Sequence, residues 1–137
     1  MRRLVLVAIL SMSSIAACDR ARDQPAGKAE VPTLSVAELA GQLPGQAIHP
    51  VDANGSKTRK DFGVIPGAIL LSDYETYAAA ELPTDRGATL VFYCANEQCS
   101  ASHDAAAKAV TLGYRDVKVL PAGILGWAKS GQRVDRP

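Results

Sequence analysis

The sequence predicts an α/β fold in which an open, mainly parallel sheet is flanked by helices within a single domain. Short apolar runs rich in strand-forming residues, such as "TLVFYC" and "DVKVL", alternate with stretches of helical pattern. Strands that alternate with helices are typical of parallel sheets. The chain has 137 residues, which is room for one domain. Ligands of such sheets bind beyond the carboxyl ends of the strands, so residues at those ends are the first candidates for a site.

Residues 1–17 have the pattern of a secretory signal peptide. "MRRLVLVAILSMSSIAAC" places Arg2 and Arg3 before an apolar core, and small residues follow as far as Cys18. The apolar core is too short for a membrane-spanning helix. The stretch before Cys18 resembles the lipobox of bacterial lipoproteins, which implies an acylated cysteine as the first residue of the mature chain. The alternative is an ordinary signal peptide cut near Ala17, with Cys18 an incidental thiol.

Residues 18–32 are predicted to be the lipidated cysteine followed by a flexible tether. Charges alternate there with Pro, Gly and Ala, and Val31 is the one large aliphatic residue. Such a stretch buries too little apolar surface to offset the entropy lost on ordering. Asp19 resembles an inner-membrane retention signal, so we expect a periplasmic protein, anchored by lipid to the inner membrane, with its folded domain at residues 33–137.

The first half of the domain begins with a helix and a strand. Ser35, with Glu38 three residues on, forms a capping-box pattern at the start of a short amphipathic helix. Residues 47–52 predict a buried strand, which Pro50 makes an edge or irregular one. The polar stretch "NGSKTRKDFG" predicts turns, with one helical turn at residues 59–62.

The middle of the domain predicts a turn, a short strand and a helix. Pro66 and Gly67 mark the turn, and residues 68–71 form an apolar run. "DYETYAAAEL" predicts a two-turn helix that begins at Ser72 or Asp73. "RGATLVFYC" is the strongest strand of the chain, because it is rich in β-branched and aromatic residues.

The last third of the chain predicts helix, strand and helix. "SASHDAAAKAVTLGY" predicts a helix that Ser100 or Ser102 caps and Gly113 ends. "DVKVL" predicts another strand, and "AGILGWAKSG" a loop that leads into a short helix around Trp127.

Cys94 stands at the carboxyl end of the strongest strand, and four residues separate it from Cys99, just before a helix. Unpaired N–H groups and the dipole of a helix start favour a thiolate. We expect the N–H groups of residues 95–100 to converge on the sulfur of Cys94 as an anion-binding nest. The junction would then hold a thiolate, a persulfide or a bound oxyanion.

Over residues 34–134 the sequence resembles the rhodanese (sulfurtransferase) family. "VDANG" resembles the family's strand that ends in Asp, "GVIPGAI" resembles "GHIPGAI", and "VFYC" resembles the catalytic strand. "AAAKAVTLGYRDVKVLPAGILGW" resembles "AA..L...GY..V..L.GGI..W". The resemblance implies a single rhodanese-like domain, with Cys94 at the position that carries persulfide sulfur.

The cysteine loop, residues 94–100, departs from the common family pattern "C-x-x-G-x-R". It reads "CANEQCS", so the loop contains no Arg or Lys, and Glu97 adds a negative charge. Asn54 stands where an Arg often follows the strand Asp, and Val64 replaces the His of "GHIPGA". A dianionic donor such as thiosulfate needs cationic help, so these departures count against efficient thiosulfate:cyanide chemistry. They also count against a phosphatase, which would need an Arg at the position of Ser100.

Three hypotheses concern Cys99. It could release sulfur from Cys94 by attacking the persulfide and leaving a disulfide for a reductant. It could form a structural disulfide with Cys94, the default in an oxidising compartment, which would make the domain a non-catalytic binding module. It could also join Cys94 and His103 as a ligand of a soft metal. Either cysteine could accept sulfur, and Cys94 is the preferred choice.

The prediction is therefore a periplasmic sulfurtransferase, with thiol–disulfide exchange as a related task. Its expected partners are a small sulfur donor and a thiol acceptor or reductant, the membrane through the lipid anchor, and optionally a partner protein. No cofactor or resident metal is predicted, and a net charge of +1 gives no indication of nucleic-acid binding. The predicted site residues are the catalytic Cys94 and Cys99, the loop residues Ala95, Asn96, Glu97, Gln98 and Ser100, and the supporting Asp52 and His103.

Overall fold

The computed structural model describes residues 30–45 and 47–137. Within them, four parallel strands form one sheet in the order β2-β1-β3-β4. The strands are β1 (Ile48–Asp52), β2 (Ile69–Leu70), β3 (Thr89–Tyr93) and β4 (Asp116–Leu120). The helices are α1 (Val36–Gln42), α2 (Ser56–Phe62), α3 (Ala101–Thr111) and α4 (Gly123–Lys129). The predicted α/β class with a parallel sheet is confirmed.

The predictions of a signal peptide at residues 1–17 and of lipid on Cys18 lie outside the described residues, as does the predicted tether up to residue 29. The last residues of that tether, 30–32, are described, and Val31 and Pro32 contact the domain. Within the part of the chain that is described, no helix is both long and apolar enough to cross a membrane.

The sheet has a separate apolar core on each face. On one face, the alanines Ala105, Ala106 and Ala109 of α3 pack on alternate residues of the strands, and Cys94 belongs to this core. On the other face, side chains of α1 and α4, including Trp127, pack on the remaining strand residues. Because side chains alternate along a strand, β3 contributes to both cores. Because β3 is packed on both faces, the position of its carboxyl end in the sheet is fixed.

Residues 32–34 lie along the outer edge of β4. The N–H of Val119 donates to the carbonyl of Pro32 at 2.9 Å, and the N–H of Leu34 donates to the carbonyl of Val119 at 2.8 Å. The pairing of Thr33 with Val119 is parallel. Val31 also packs against the core on the α3 face. This pairing covers backbone groups that an open edge strand would expose.

Pro50 lies in β1, which is a central strand and not an edge strand as predicted. β3 pairs with β1 along residues 48–52, whereas β2 pairs with Val51 and Asp52 only. Pro50 therefore lies beyond the end of β2. A proline, which has no N–H, is tolerated there because β1 is locally the edge of the sheet beyond the end of β2.

The helix predicted from Ser72 or Asp73 is wrong. The described structure has turns there, followed by a short 3-10 helix at Ala79–Glu81. The Asp73 carboxylate accepts hydrogen bonds from the N–H groups of Glu75 and Thr76, at 2.9 and 2.8 Å. The Glu81 carboxylate accepts hydrogen bonds from the N–H of Ser72 and of Ala78. Local bonds between side chains and backbone compete here with a helix.

The remaining helices begin and end close to the predicted residues. Ser35 caps α1, and both hydrogen bonds of its capping box with Glu38 are present. Ser100 occupies the position before α3 without a side-chain capping bond, and Gly113 follows the helix with φ of +93°. α2 is longer than the single turn predicted. Together, these elements place the carboxyl ends of β1 and β3 at the same edge of the sheet.

Candidate active site: a disulfide at the end of the central strand

Cys94 and Cys99 are joined by a disulfide, with their Cα atoms 6.3 Å apart. The two cysteines differ in their surroundings. Cys94 is only 1% exposed and belongs to the core under α3. Cys99 is partly exposed, and its neighbours Gln98 and Ser100 are exposed. The cysteine loop therefore has one buried and one accessible end.

The sulfur of Cys94 has two close polar neighbours. The Ser102 hydroxyl oxygen lies 3.3 Å from Cys94 Sγ, and Ser102 is itself buried. Because a disulfide sulfur carries no hydrogen, only the hydroxyl can donate in this contact. The carbonyl oxygen of Cys99 lies 3.1 Å from the same sulfur. A hydroxyl that donates to sulfur favours its anionic form. A carbonyl oxygen can accept from a neutral thiol, so both protonation states of a reduced Cys94 would find a partner.

The expected nest of amides around Cys94 Sγ is not found among the described residues. The N–H of Gln98 donates to the side-chain oxygen of Asn96 at 3.0 Å, and the N–H of Cys99 donates to the carbonyl of Asn96 at 3.1 Å. Asn96 thus turns the loop back on itself. In this oxidised state the loop amides stabilise a tight turn, and the Ser102 hydroxyl is the donor to the sulfur.

The backbone at Cys94 and Ala95 is fixed from the other face by the start of α4. The N–H of Ile124 donates to the carbonyl of Cys94 at 2.9 Å, and the N–H of Leu125 donates to the carbonyl of Ala95 at 3.0 Å. Gly123 has φ of +60°, and a Cβ there would lie 2.5 Å from Ala95 backbone atoms. Only glycine allows this close approach without strain. The loop therefore starts from a rigid point.

Asp52 is fully buried at the end of β1 and is the centre of a polar network. Its carboxylate accepts hydrogen bonds from the N–H of Asn54 at 2.6 Å and from the Tyr93 hydroxyl at 2.7 Å. The Tyr93 oxygen accepts in turn from the N–H of Ile65 at 3.1 Å. Burial, together with the negative charge of Asp52, raises the pKa of Tyr93. Tyr93 is hence a neutral hydrogen-bonding core residue, and Asp52 orders the β1 end rather than the cysteine loop.

Arg59 of α2 supplies the countercharge for Asp52. Its Nε lies 3.4 Å from the Asp52 carboxylate, and its Nη2 donates to the carbonyls of Asp52 and Leu71 at 3.1 and 2.8 Å. The Arg59 side chain is 14% exposed. A buried carboxylate needs such compensation. This guanidinium is used to hold the sheet edge and not to face the cysteine loop.

Asn54 occupies the position after β1 at which the resemblance suggests an Arg. It is 7% exposed, and its side-chain nitrogen has no hydrogen-bond partner among the described residues. Val64, which replaces the His of the family pattern, is buried and pairs with Asp135. Neither position brings a cation to the disulfide.

A shallow pocket of about 300 Å³ adjoins the cysteine loop on the α4 side. It is lined by Asn96, Glu97 and Gln98 of the loop and by Lys129 and neighbouring residues of α4. Lys129 thus provides a positive charge that the loop sequence lacks, opposite the exposed carboxylate of Glu97. His103 is exposed on the first turn of α3.

A metal site made of Cys94, Cys99 and His103 does not occur in the described structure. The two sulfurs are bonded to each other. Over residues 30–45 and 47–137, no group of three His, Cys, Asp or Glu side chains is arranged to hold a metal ion.

The sequence does not predict the contacts that four residues make near the site: Arg59, Ser102, Gly123 and Lys129. The contacts of Arg59 and Lys129 depend on how α2 and α4 pack, which no local pattern reveals. Ser102 had been considered only as a helix cap, although a serine facing a stripe of alanines was a usable sign of a buried hydroxyl. Gly123 lies in the "AGI" segment that carried part of the resemblance.

Comparison with known proteins gives one family and several solved structures. The sequence profile described as "Rhodanese-like domain" matches residues 35–130. No curated protein is similar enough to count as a match.

Three of the similar structures illustrate the range. The BH2092 protein from Bacillus halodurans is 25% identical, with a TM-score of 0.67 and 76% of each chain covered. The human single-domain sulfurtransferase TSTD1 is 23% identical, with a TM-score of 0.60, and 73% of this chain and 97% of that chain are covered. SseA from Escherichia coli is 18% identical. Its structure is described as showing the rhodanese fold of 3-mercaptopyruvate sulfotransferases. Its TM-score is 0.63, over 79% of this chain and 51% of SseA.

Proposed function

Because the chain belongs to the rhodanese-like domain family, we propose that it is a sulfurtransferase that carries sulfur as a persulfide on Cys94. The single observation that supports this most is the Cys94–Cys99 disulfide at the end of the central strand. Rhodanese-fold proteins include sulfurtransferases, such as the human single-domain protein. A second cysteine within bonding distance gives the carrier a built-in means of release.

The proposed reaction has two half-reactions in the reduced protein. The Cys94 thiolate takes one sulfane sulfur from a donor, and the rest of the donor leaves with the bonding electron pair. The Cys99 thiolate then attacks the inner sulfur of the Cys94 persulfide, and hydrosulfide leaves as the disulfide forms. That second step yields the same Cys94–Cys99 bond that the structure has. Two electrons from an external thiol reductant are needed to restore both thiols.

The donor is expected to carry little negative charge. The cysteine loop holds Glu97 and no cationic side chain, and Lys129 lies across the pocket from it. A neutral or singly charged polysulfide or thiol persulfide suits these charges better than a dianion does. The partners implied are therefore a small persulfide donor and a thiol or dithiol reductant.

A second candidate is a binding module in which the disulfide only fixes the loop. The observation that favours it is the burial of Cys94, whose backbone is also fixed by α4. The two candidates differ in one measurable property, which is whether a reduced Cys94 accepts sulfur.

The test is mass spectrometry of the reduced protein after treatment with polysulfide or thiosulfate. A Cys18→Ser background removes the third thiol. In the Cys99→Ala variant, which cannot release the sulfur, we expect the mass to rise by one sulfur atom on Cys94, with more product from polysulfide than from thiosulfate. Additional replacement of Cys94 by Ser should abolish the adduct. Absence of any adduct on reduced Cys99→Ala protein would favour the binding module, and an adduct found in Cys94→Ser protein instead would reverse the roles of the cysteines.

We also propose that Cys18 anchors the protein in the inner membrane, facing the periplasm. The support is the lipobox-like "IAAC" after an apolar core, followed by Asp19. Cells given an alkyne fatty acid should label the wild-type protein and not Cys18→Ser. Equal labelling of both, or processing that resists globomycin, would argue against the anchor.

A further inference from the structure

We propose that Cys99 is the point of attack for the external thiol reductant and that Cys94 is the leaving group. This assignment rests on the proposed function only in so far as the disulfide must be reopened in each cycle. It concerns the order in which bonds form and break at this disulfide.

Access to the two sulfurs is the first argument. A thiolate attacks a disulfide along the axis of the S–S bond, from the side opposite the leaving sulfur. Cys94 is only 1% exposed and lies in the core that it shares with Ala105 and Ala106, so its sulfur offers little room for an attacking thiolate. Cys99 is partly exposed and lies between two exposed residues. Rates of exchange depend on which sulfur can be reached.

Stabilisation of the leaving sulfur is the second argument. A disulfide opens faster when the departing thiolate is stabilised. The buried Ser102 hydroxyl already lies 3.3 Å from Cys94 Sγ and can donate to the thiolate as it forms. Cys99 has no corresponding side-chain donor to its sulfur among the described residues. Departure of Cys94 is therefore favoured over departure of Cys99.

Rigidity of the backbone is the third argument. The carbonyls of Cys94 and Ala95 are held by N–H groups of α4, so the buried sulfur keeps its place when the bond opens. The turn that carries Cys99 is held by Asn96, which lies within the loop itself. Cys99 is the half that can move outward to carry an adduct.

Reduction takes two thiol–disulfide exchange steps. A thiolate RS⁻ attacks Cys99 Sγ, the S–S bond breaks, and Cys94 leaves as thiolate, which gives a mixed disulfide R–S–S–Cys99. A second thiolate then attacks the R sulfur, Cys99 leaves as thiolate, and RSSR carries away the two oxidising equivalents. The reductant class is a small thiol or a dithiol protein, and glutathione is the probe used below.

The experiment locates the adduct in the oxidised full chain. The protein is mixed with glutathione, quenched in acid at short times, and alkylated with N-ethylmaleimide. Cleavage after Glu97 separates Cys94 from Cys99, and mass spectrometry then identifies the glutathione-bearing fragment. We expect glutathione on Cys99 and maleimide on Cys94 at least tenfold more often than the reverse, on extrapolation to zero time. A larger or equal share on Cys94 would overturn the inference, and so would a disulfide that glutathione never opens. The measurement does not involve persulfide, so failure of sulfur transfer would leave its result intact and would be seen separately.

Discussion

Two neighbouring strands, β1 and β3, end side by side at the carboxyl edge of the sheet, and the two ends are held by different means. The β1 end is fixed by charge and hydrogen bonds, with Asp52 paired to Arg59 and to the Tyr93 hydroxyl. The β3 end is fixed by a reducible covalent bond between Cys94 and Cys99. The first arrangement contains no reducible bond. The second can be opened by a thiol.

This contrast explains why only the cysteine loop is expected to open when the disulfide is reduced. Tyr93 bonds to Asp52 and directly precedes Cys94, so the ionic network anchors the last residue before the reactive cysteine. The start of α4 holds the next two carbonyls. Opening of the disulfide is therefore expected to release residues 96–100 while β3 stays in place.

The largest expected effect comes from removing the charge at the β1 end. Asp52→Ala leaves Arg59 without its carboxylate and the Tyr93 hydroxyl without its acceptor. We expect a loss of about 3–5 kcal/mol in the free energy of unfolding, as is usual when one partner of a buried ion pair is removed. Urea denaturation of the reduced and oxidised proteins measures it.

Asp61→Ala is the matched control, because Asp61 pairs with Lys57 on the exposed surface of α2. That variant should unfold at nearly the same urea concentration as the wild type. If Asp52→Ala were as mild as Asp61→Ala, the β1 end would not be a stabilising network, and the comparison between the two strand ends would fail.

A smaller effect is expected at the contact between α4 and the β3 end. In Gly123→Ala, the methyl group would meet the backbone of Ala95 at 2.5 Å, in a residue with φ of +60°. Overpacking and left-handed strain together predict a loss of about 2–4 kcal/mol in stability. They also predict faster reduction of the disulfide, because the base of the loop is displaced.

Gly113→Ala is the control that has left-handed backbone strain without overpacking. Gly113 has φ of +93°, and a Cβ there would meet nothing within 4 Å. It should lose about 1–2 kcal/mol from the backbone strain alone and keep the wild-type rate of disulfide reduction. Equal behaviour of the two variants would mean that the close approach of α4 does not hold the cysteine loop.

Ser102→Ala is expected to have the smallest effect on stability and the most specific effect on the reactivity of Cys94. Loss of the hydroxyl donor should raise the pKa of the Cys94 thiol, because a hydrogen bond donated to sulfur favours the thiolate. The pH dependence of Cys94 alkylation in Cys99→Ser protein measures this shift. Ser100→Ala is the control, since Ser100 is exposed and makes no capping bond. An unchanged pH profile in Ser102→Ala would remove the hydroxyl from the mechanism.

Elements with strong local patterns could be predicted from the sequence, and those decided by side-chain competition could not. β3 was evident from its run of β-branched and aromatic residues, and α1 from its capping box. The segment after Leu71 has helical composition, but the Glu81 carboxylate turns back to the N–H groups of Ser72 and Ala78. A stretch of ten residues does not show whether the backbone bonds of a helix or these side-chain bonds to Glu81 are more stable.

For the site, the sequence predicted the location of Cys94 at a strand end and the possibility of its bond to Cys99. It did not predict that Cys94 is buried, because burial depends on how the alanines of α3 pack over it. The amide nest was expected from the position before a helix, and it is replaced here by the Ser102 hydroxyl. Lys129 reaches the loop only through the placement of α4.

The pairing of residues 32–34 with β4 also determines on which side of the domain the upstream chain enters. Because that pairing is parallel, the upstream chain enters at the amino-terminal end of β4, whereas both cysteines belong to the opposite, carboxyl-terminal side. Five residues of strand separate these sides by about 16 Å. A lipid anchor upstream of residue 30 would therefore join the domain on the side opposite the two cysteines, which would leave the disulfide accessible to a freely diffusing reductant.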